Sequence, residues 1–207
     1  SYKTRSTWGK PGDTLRLGPG LHRGPIVLRR PLTLTGGADA VLDGGGRGSV
    51  ITVTAPDVRI EGLAIRGSGT DLPAMDSGVL LRRTAVRAAV VGNRLEHNLF
   101  GVYVHGAAEA QVRGNAIRGR SDLHRSVAGN GLSMWNAPGA EVVGNDIRFG
   151  RDGIFVNTSQ RNLFRDNRFG DLRFAIHYMY TNDSKVIGNR SQGNDVGWAI
   201  MFSHRLE

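Results

Sequence analysis

A repeat of about 22 residues runs through the second half of this 207-residue chain. Each unit has a short apolar alternation, then a small or acidic residue, then Asn, and the Asn residues are Asn93, Asn115, Asn145, Asn167 and Asn189. The steps between them are 22, 30, 22 and 22 residues, so one unit carries an insertion of eight. A fixed period of this kind predicts one supersecondary unit stacked on copies of itself.

Short strands separated by Gly and Pro precede the repeat. Apolar alternation predicts strands at residues 13–17, 26–28, 32–35, 41–43, 51–54 and 58–60. No stretch has a 3.6-residue apolar period over three turns, so almost no helix is expected. We therefore predict an all-β chain folded as a right-handed parallel β-helix, with a less regular N-terminal capping region.

One continuous solenoid domain is expected. Residues 1–57 would form short-strand coils and a cap, and residues 58–205 the regular coils. Residues 67–77 and 118–130 are interpreted as insertions, which in solenoids project from one face and often carry contacts. Residues 206–207 are interpreted as vector-derived.

The Asn series has a structural explanation. Asn tolerates a left-handed backbone and satisfies backbone groups at turns. Stacked in successive coils, the Asn side chains are expected to form a hydrogen-bonded ladder.

Charge and cysteine content restrict the function. The chain has 27 Lys and Arg against 18 Asp and Glu, a net charge of +9. Arg residues are spread along every repeat rather than clustered, which favours a solvated basic face or docking to an acidic protein over nucleic-acid binding. The absence of Cys excludes disulfides and thiolate metal sites. No apolar run reaches membrane-spanning length, and the first residues do not resemble a signal peptide.

Alignment of the coils predicts an outward strip after the second strand of each coil. Its two columns are Tyr103, Ser133, Phe155, His177 and Ala199, and His105, Trp135, Asn157, Met179 and Met201. Aromatic, Met and His residues are unusual on a solvated face and indicate a binding surface. The predicted docking residues are Trp135, Phe155, His177, Tyr178, Met179, Tyr180, Met201 and Phe202, with a core position as the alternative for Tyr178.

The same strip contains a predicted metal site. His177, Met179 and Met201 would lie within one rung, and His204 follows closely. Thioether and imidazole groups together suit Cu(I), so copper(I) is the metal we consider at these four residues. No tightly bound cofactor is expected.

Catalysis is not expected. Glycoside hydrolysis needs two carboxylates about 5–9.5 Å apart across a groove. The aspartates scatter over unrelated repeat positions: Asp152, Asp166, Asp171, Asp183 and Asp195. No catalytic residue is predicted. A polysaccharide lyase or hydrolase, or a carbohydrate-binding β-helix, remains the alternative, because exposed aromatic rings can stack on sugars.

Three segments closely resemble the NosD family: residues 150–159 (GRDGIFVNTS), 171–184 (DLRFAIHYMYTNDS) and 197–206 (GWAIMFSHRL). Residues 12–17 and 98–103 also resemble the sequence pattern of this family. The resemblance extends from about Pro11 to Leu206, and its most specific part is the string from His177 to Ser184.

This resemblance implies a periplasmic β-helix that helps assemble the copper-sulfide centre of nitrous oxide reductase during denitrification. The implied partners are an ABC transporter permease with its ATPase, a copper-delivering lipoprotein and the reductase. Membrane contact would come only through the transporter. Family members are longer, so the chain is expected to be a mature, truncated form without its signal peptide, comprising the N-terminal and middle coils.

Overall fold

The computed structural model describes residues 10–207, and residues 1–9 of the predicted N-terminal region lie outside the described residues. Between residues 10 and 207 the regular structure is strand, without helix. These residues contain no helix that could cross a membrane. The strands form three parallel sheets of eight strands each. Successive strands enter the three sheets in rotation, so each coil adds one strand to each sheet.

The sheets are named A, B and C in the order in which the chain visits them. Sheet A contains Asp13–Leu17, Leu32–Gly36, Arg59–Glu61, Ala89–Val91, Gln111–Arg113, Glu141–Val143, Leu163–Arg165 and Lys185–Ile187. Sheet B contains Gly20–Arg23, Ala40–Asp43, Ala64–Arg66, Arg94–Glu96, Ala116–Arg118, Asp146–Arg148, Arg168–Gly170 and Arg190–Ser191. Sheet C contains Ile26–Leu28, Ile51–Val53, Ser77–Leu81, Phe100–His105, Leu132–Trp135, Asp152–Asn157, Phe174–Met179 and Val196–Met201.

This architecture confirms the predicted parallel β-helix. The six strands predicted before residue 61 are present, with bounds that agree to within one residue. The strand Gly20–Arg23 was not predicted, because Leu21 is its one apolar residue and that side chain is exposed. The early coils are less uniform than the later ones: register partners Leu15 and Leu34 lie 19 residues apart, and Leu34 and Ile60 lie 26 apart.

The core is a set of inward columns, to which each strand contributes one or two residues. One face of each sheet is turned towards the core, so alternate side chains of a strand are buried, which is why the sequence alternates. In sheet C the column Val79, Val102, Leu132, Ile154 and Ile176 is fully buried. Burial of such aliphatic side chains stabilises by roughly 1.5–3 kcal/mol each.

The predicted Asn ladder is confirmed at the corner between sheets A and B. Asn145 donates from its backbone N and from Nδ2 to Oδ1 of Asn167, at 3.0 and 2.9 Å. Its Nδ2 also donates to the Val112 carbonyl at 2.9 Å. Asn115 donates to Oδ1 of Asn145 in the same way, at 3.0 Å for both atoms. The ladder runs from Asn93 to Asn189, and each Asn ties its coil to the neighbouring coils.

A second column consists of small residues and lies where the chain enters sheet C. Its members are Gly78, Gly101, Gly131, Gly153, Ala175 and Gly197. A Cβ on Gly101 would lie 2.5 Å from the Gly131 carbonyl oxygen and 2.5 Å from Cγ2 of Ile117. The close spacing of coils at this corner therefore requires Gly at most rungs.

The two longest connections within the repeats lie at the corner between sheets B and C. One joins Arg66 to Ser77 and the other joins Arg118 to Leu132. Thr70 of the first and Arg120 of the second line one surface depression, together with His97 of the coil between them.

The ladder predicts a large effect for Asn145→Ala. The substitution removes the acceptor for two Asn115 donors and leaves the Val112 carbonyl without its side-chain donor. We expect the free energy of unfolding to fall by about 3 kcal/mol, measured by urea denaturation. The matched control is Asn157→Ala on the outer face, where about 0.5 kcal/mol or less is expected. Equal losses in the two variants would contradict a specific role for the ladder.

Gly101→Ala should also destabilise the fold, by about 2 kcal/mol, because the added methyl group meets backbone and side-chain atoms of the next coil. Gly197→Ala provides the control, since its Cβ would meet nothing closer than Ser191 Oγ at 3.5 Å. Thermal unfolding of the two variants measures the difference. A Gly197 variant as unstable as the Gly101 variant would refute the close-approach explanation.

Candidate functional site

The outer face of sheet C and the bend that follows it form the candidate site, called here the outer strip. Register pairing places Ser133, Phe155, His177 and Ala199 in one column. The second column contains Trp135, Asn157, Met179 and Met201. Both columns are as predicted from the repeat alignment. Burial then divides their members into exposed and enclosed side chains.

Trp135 is an exposed member of the strip, with 41% of its surface accessible. Its indole stacks on the His105 ring of the preceding coil, with centroids 4.7 Å apart and planes inclined by 23°. Partial burial, with the positive charge of Arg82, lowers the pKa of His105. A neutral imidazole and an indole therefore present one flat aromatic surface.

Tyr180 and Phe202 form a second aromatic pair in the bend. Their rings stack at 5.1 Å with planes inclined by 12°, and 52% and 65% of their surfaces are exposed. Both backbones have positive φ, 52° and 48°. Asn136 and Thr158, at the same position of the two preceding coils, also have positive φ, so this backbone conformation belongs to the bend of the repeat. Neither ring packs into the core, which indicates a role at the surface.

Met179 and Met201 are register partners on neighbouring strands. Met179 is partly buried and Met201 is exposed. The structure therefore brings two of the four predicted metal ligands together. Two adjacent thioethers offer a soft surface suited to Cu(I) and to apolar contacts.

His177 lies in its predicted column but is enclosed rather than open, with 8% of its surface exposed. Its ring packs edge-on against Phe155 at 4.9 Å and Phe174 at 5.2 Å. Its Nδ1 lies 3.3 Å from Oδ2 of Asp152, whereas Nε2 is buried without a hydrogen-bond partner in the described chain. The expectation of a freely accessible imidazole is therefore corrected, because flanking phenyl rings cover it.

Asp152 and Arg173 form an ion pair in the site that the sequence did not predict. Asp152 is 1% exposed, and its two carboxylate oxygens accept from Nε and Nη2 of Arg173 at 2.8 and 2.7 Å. The pairing raises the pKa of Arg173. The guanidinium also lies 4.3 Å over the Phe174 ring. The repeat was the signal available in the sequence. It places Arg173, which precedes the strand Phe174–Met179, close to Asp152, the first residue of the corresponding strand in the preceding coil.

Tyr178 is a core residue, so its prediction as a docking residue is wrong and its stated alternative holds. The side chain is 1% exposed and packs edge-on against Phe164 at 5.6 Å. Burial raises the pKa of its hydroxyl. The physical reason is strand alternation: the residue between outward His177 and outward Met179 must point inward.

His204 lies beyond the strip. It follows the bend after Met201, and its backbone N donates to Oδ1 of Asn182 at 2.9 Å. Across residues 10–207 no group of three or more His, Cys, Asp or Glu side chains is arranged to hold a metal ion. Met179 and Met201 are the part of the predicted ligand set that register pairing places on neighbouring strands.

A shallow depression of about 280 Å³ adjoins Tyr180. Its lining combines amides and hydroxyls with one aromatic ring: Asn136, Pro138, Thr158, Ser159, Gln160, Tyr180 and Asn182. Amide and hydroxyl groups beside an exposed ring are the chemistry by which proteins bind neutral sugars. The lining contains no carboxylate.

Two solved structures of similar shape are a glucanase and an alginate epimerase. The catalytic domain of a GH87 α-1,3-glucanase in complex with tetrasaccharides has a TM-score of 0.67 at 13% identity, over 86% of this chain and 34% of the other. A periplasmic alginate epimerase has a TM-score of 0.64 at 12% identity, over 94% of this chain and 51% of the other. At such low identity the likeness concerns the fold alone.

Sequence relatives give a closer match. A "Probable ABC transporter binding protein NosD" of Stutzerimonas stutzeri is 38% identical over 138 residues, which is 67% of this chain and 32% of the relative. Its namesake in Pseudomonas aeruginosa is 36% identical over 137 residues, 66% of this chain and 32% of the relative. The chain thus spans about a third of the length of these relatives.

The family model described as "Periplasmic copper-binding protein (NosD)" matches residues 113–207. That range contains all of the outer strip from Trp135 to Phe202. The family match, the two curated relatives and the parallel β-helix agree: this chain belongs to the NosD family.

Proposed function

We propose that this chain is a non-catalytic docking scaffold in the periplasmic maturation of the copper-sulfide centre of nitrous oxide reductase. The observation that carries the proposal is the outer strip, where stacked, exposed aromatic pairs are held on a rigid sheet. Rigid aromatic side chains lose little conformational entropy when a partner covers them, and they dominate protein interfaces. The strip is thus preorganised for docking.

The proposed partners are a copper-delivering lipoprotein, the apo-reductase and an ABC transporter made of permease and ATPase. The relatives' description as ABC transporter binding proteins supports the transporter. The family description as periplasmic and copper-binding supports the location and the metal. Membrane contact is proposed through the transporter alone, and nucleic acid is not among the partners.

Copper(I) is proposed as cargo in transit rather than as a resident cofactor. Met179 and Met201 would supply two thioether ligands, and the arriving partner would complete the coordination. Soft sulfur ligands select Cu(I) over harder ions. His177 would have a positioning role. Its ring packs against Phe155 and Phe174, and this packing would hold in place the strand that carries Met179.

Asp152, the carboxylate of the outer strip, is not placed to catalyse hydrolysis or elimination. Asp152 is buried, and both of its oxygens are occupied by the guanidinium of Arg173. A general acid or base must instead reach its substrate within hydrogen-bond distance. The Asp152–Arg173 pair is better suited to hold His177 and Phe174 in place.

Carbohydrate binding is the second candidate function. The observation in its favour is the amide-lined depression beside Tyr180. Tyr180 belongs both to this depression and to the aromatic pair, so Gln160 distinguishes the two functions. Gln160→Ala would weaken binding of a neutral oligosaccharide and leave protein docking intact.

Docking through the strip predicts that a Tyr180→Ser, Phe202→Ser double variant binds the copper-delivering lipoprotein or the apo-reductase about tenfold more weakly, because two exposed rings no longer meet the partner. Isothermal titration calorimetry with each purified partner provides the measurement. Both rings are exposed, so the fold should be retained.

The control is Leu21→Ser, which removes an exposed apolar side chain from sheet B at the other end of the solenoid. Unchanged affinity in the double variant, or an equal loss in the control, would refute docking at this strip. Oligosaccharide binding without partner binding would favour the second function instead.

Copper transfer predicts that a Met179→Leu, Met201→Leu double variant loses the Cu(I)-dependent part of lipoprotein binding while its copper-independent docking stays unchanged. Leu preserves most of the side-chain volume and removes the sulfur. Affinity measured with and without Cu(I) separates the two contributions, and about a tenfold loss is expected only in the presence of Cu(I). Met134→Leu, in the buried core, is the matched control. A double variant that keeps its full copper dependence would exclude the thioether pair.

A further inference from the structure

Sheet B has an outer face whose chemistry differs from that of the outer strip. Register pairing places Asp146, Arg168 and Arg190 in one column, and Arg148 beside Gly170 in the next. Successive rungs of a parallel sheet are about 4.8 Å apart, so guanidinium groups accumulate on a small area. Arg148, Arg168 and Arg190 are all exposed.

Two of these guanidinium groups are available to a ligand. Arg148 is tied to Oδ1 of Asp146 at 3.2 Å. By contrast, the side chains of Arg168 and Arg190 make no ion pair or hydrogen bond within residues 10–207. Two other carboxylates of these coils already have Arg partners, Asp166 with Arg165 and Asp195 with Arg125. The unpaired cations are therefore a local excess rather than half of an internal pair.

Gly170 gives this cationic group a concave shape. The three Arg side chains border a depression of about 370 Å³, with Phe169, Gly170, Asp171 and Gln192 completing its lining. A Cβ at Gly170 would lie 3.4 Å from the Gln192 carbonyl oxygen and 3.9 Å from Cγ of Arg148. The missing side chain thus leaves room between the guanidinium groups for a planar anionic group.

We infer that this depression binds carboxylate side chains of an acidic polypeptide segment, as a second docking surface on sheet B. Planar guanidinium groups match carboxylates with paired hydrogen bonds. Three arginines and one aspartate leave the lining with a net charge of +2. Asp171 at the rim opposes a dianionic phosphate more than a monoanionic carboxylate, which favours a protein over a phosphate-bearing ligand.

The experiment measures fluorescence anisotropy of a labelled decapeptide of alternating Glu and Ser, titrated with the whole chain at low and moderate ionic strength. A decapeptide of Gln and Ser is the uncharged control. Arg168→Gln with Arg190→Gln should weaken binding about fivefold to tenfold. Arg29→Gln with Arg47→Gln removes the same charge elsewhere and should leave the affinity within about twofold.

Gly170→Val tests the shape independently of charge. Valine suits a strand, and its side chain would fill the depression while the net charge stays +9. We expect the peptide affinity to fall in this variant also, with unchanged thermal unfolding. An equal loss in both Arg double variants, unaltered binding by the Val variant, or a preference for orthophosphate or phosphatidylglycerol vesicles over the Glu peptide would each overturn the inference.

Discussion

The stacked Asn ladder is the interaction on which the rest of the structure depends. Each Asn side chain bonds to the backbone and to the Asn of a neighbouring coil, so successive coils cannot slip relative to one another. Register matters because strand side chains alternate, and a slip by one residue exchanges the inner and outer faces. The ladder therefore keeps Val and Ile inside, and it aligns outward residues of distant coils into columns. Both proposed surfaces are such columns.

On sheet C the outward columns contain two kinds of side chain. Asp152, Arg173 and His177 form an enclosed group beside phenyl rings, in which the guanidinium pairs with both carboxylate oxygens and Nδ1 of His177 lies close to Asp152. Tyr180 and Phe202 stay exposed in the bend that follows the sheet. The enclosed group holds its own side chains in fixed positions through these contacts. The exposed rings provide the apolar surface that a partner can cover. A surface of this kind can hold a partner without a catalytic group of its own.

Sheets B and C present different chemistry on separate faces of one solenoid. Sheet C offers aromatic rings and thioethers, while sheet B offers unpaired guanidinium groups around Gly170. The two long connections leave the body at the corner between these sheets, near Thr70 and Arg120. A scaffold that binds two partners at once needs faces that do not compete, and parallel sheets around a shared core provide them.

The repeat by itself determined the coil architecture, the Asn ladder and both outward columns, because a period in the sequence is a period in space when strands pair in register. It could not separate exposed from enclosed members of a column. His177 has the repeat position of a surface residue, yet Phe155 and Phe174 cover it. The Asp152–Arg173 pair and the depression at Gly170 were likewise decided by tertiary structure. Whether a side chain is covered depends on the sizes and conformations of its neighbours in other coils, and alignment of the repeat does not specify these.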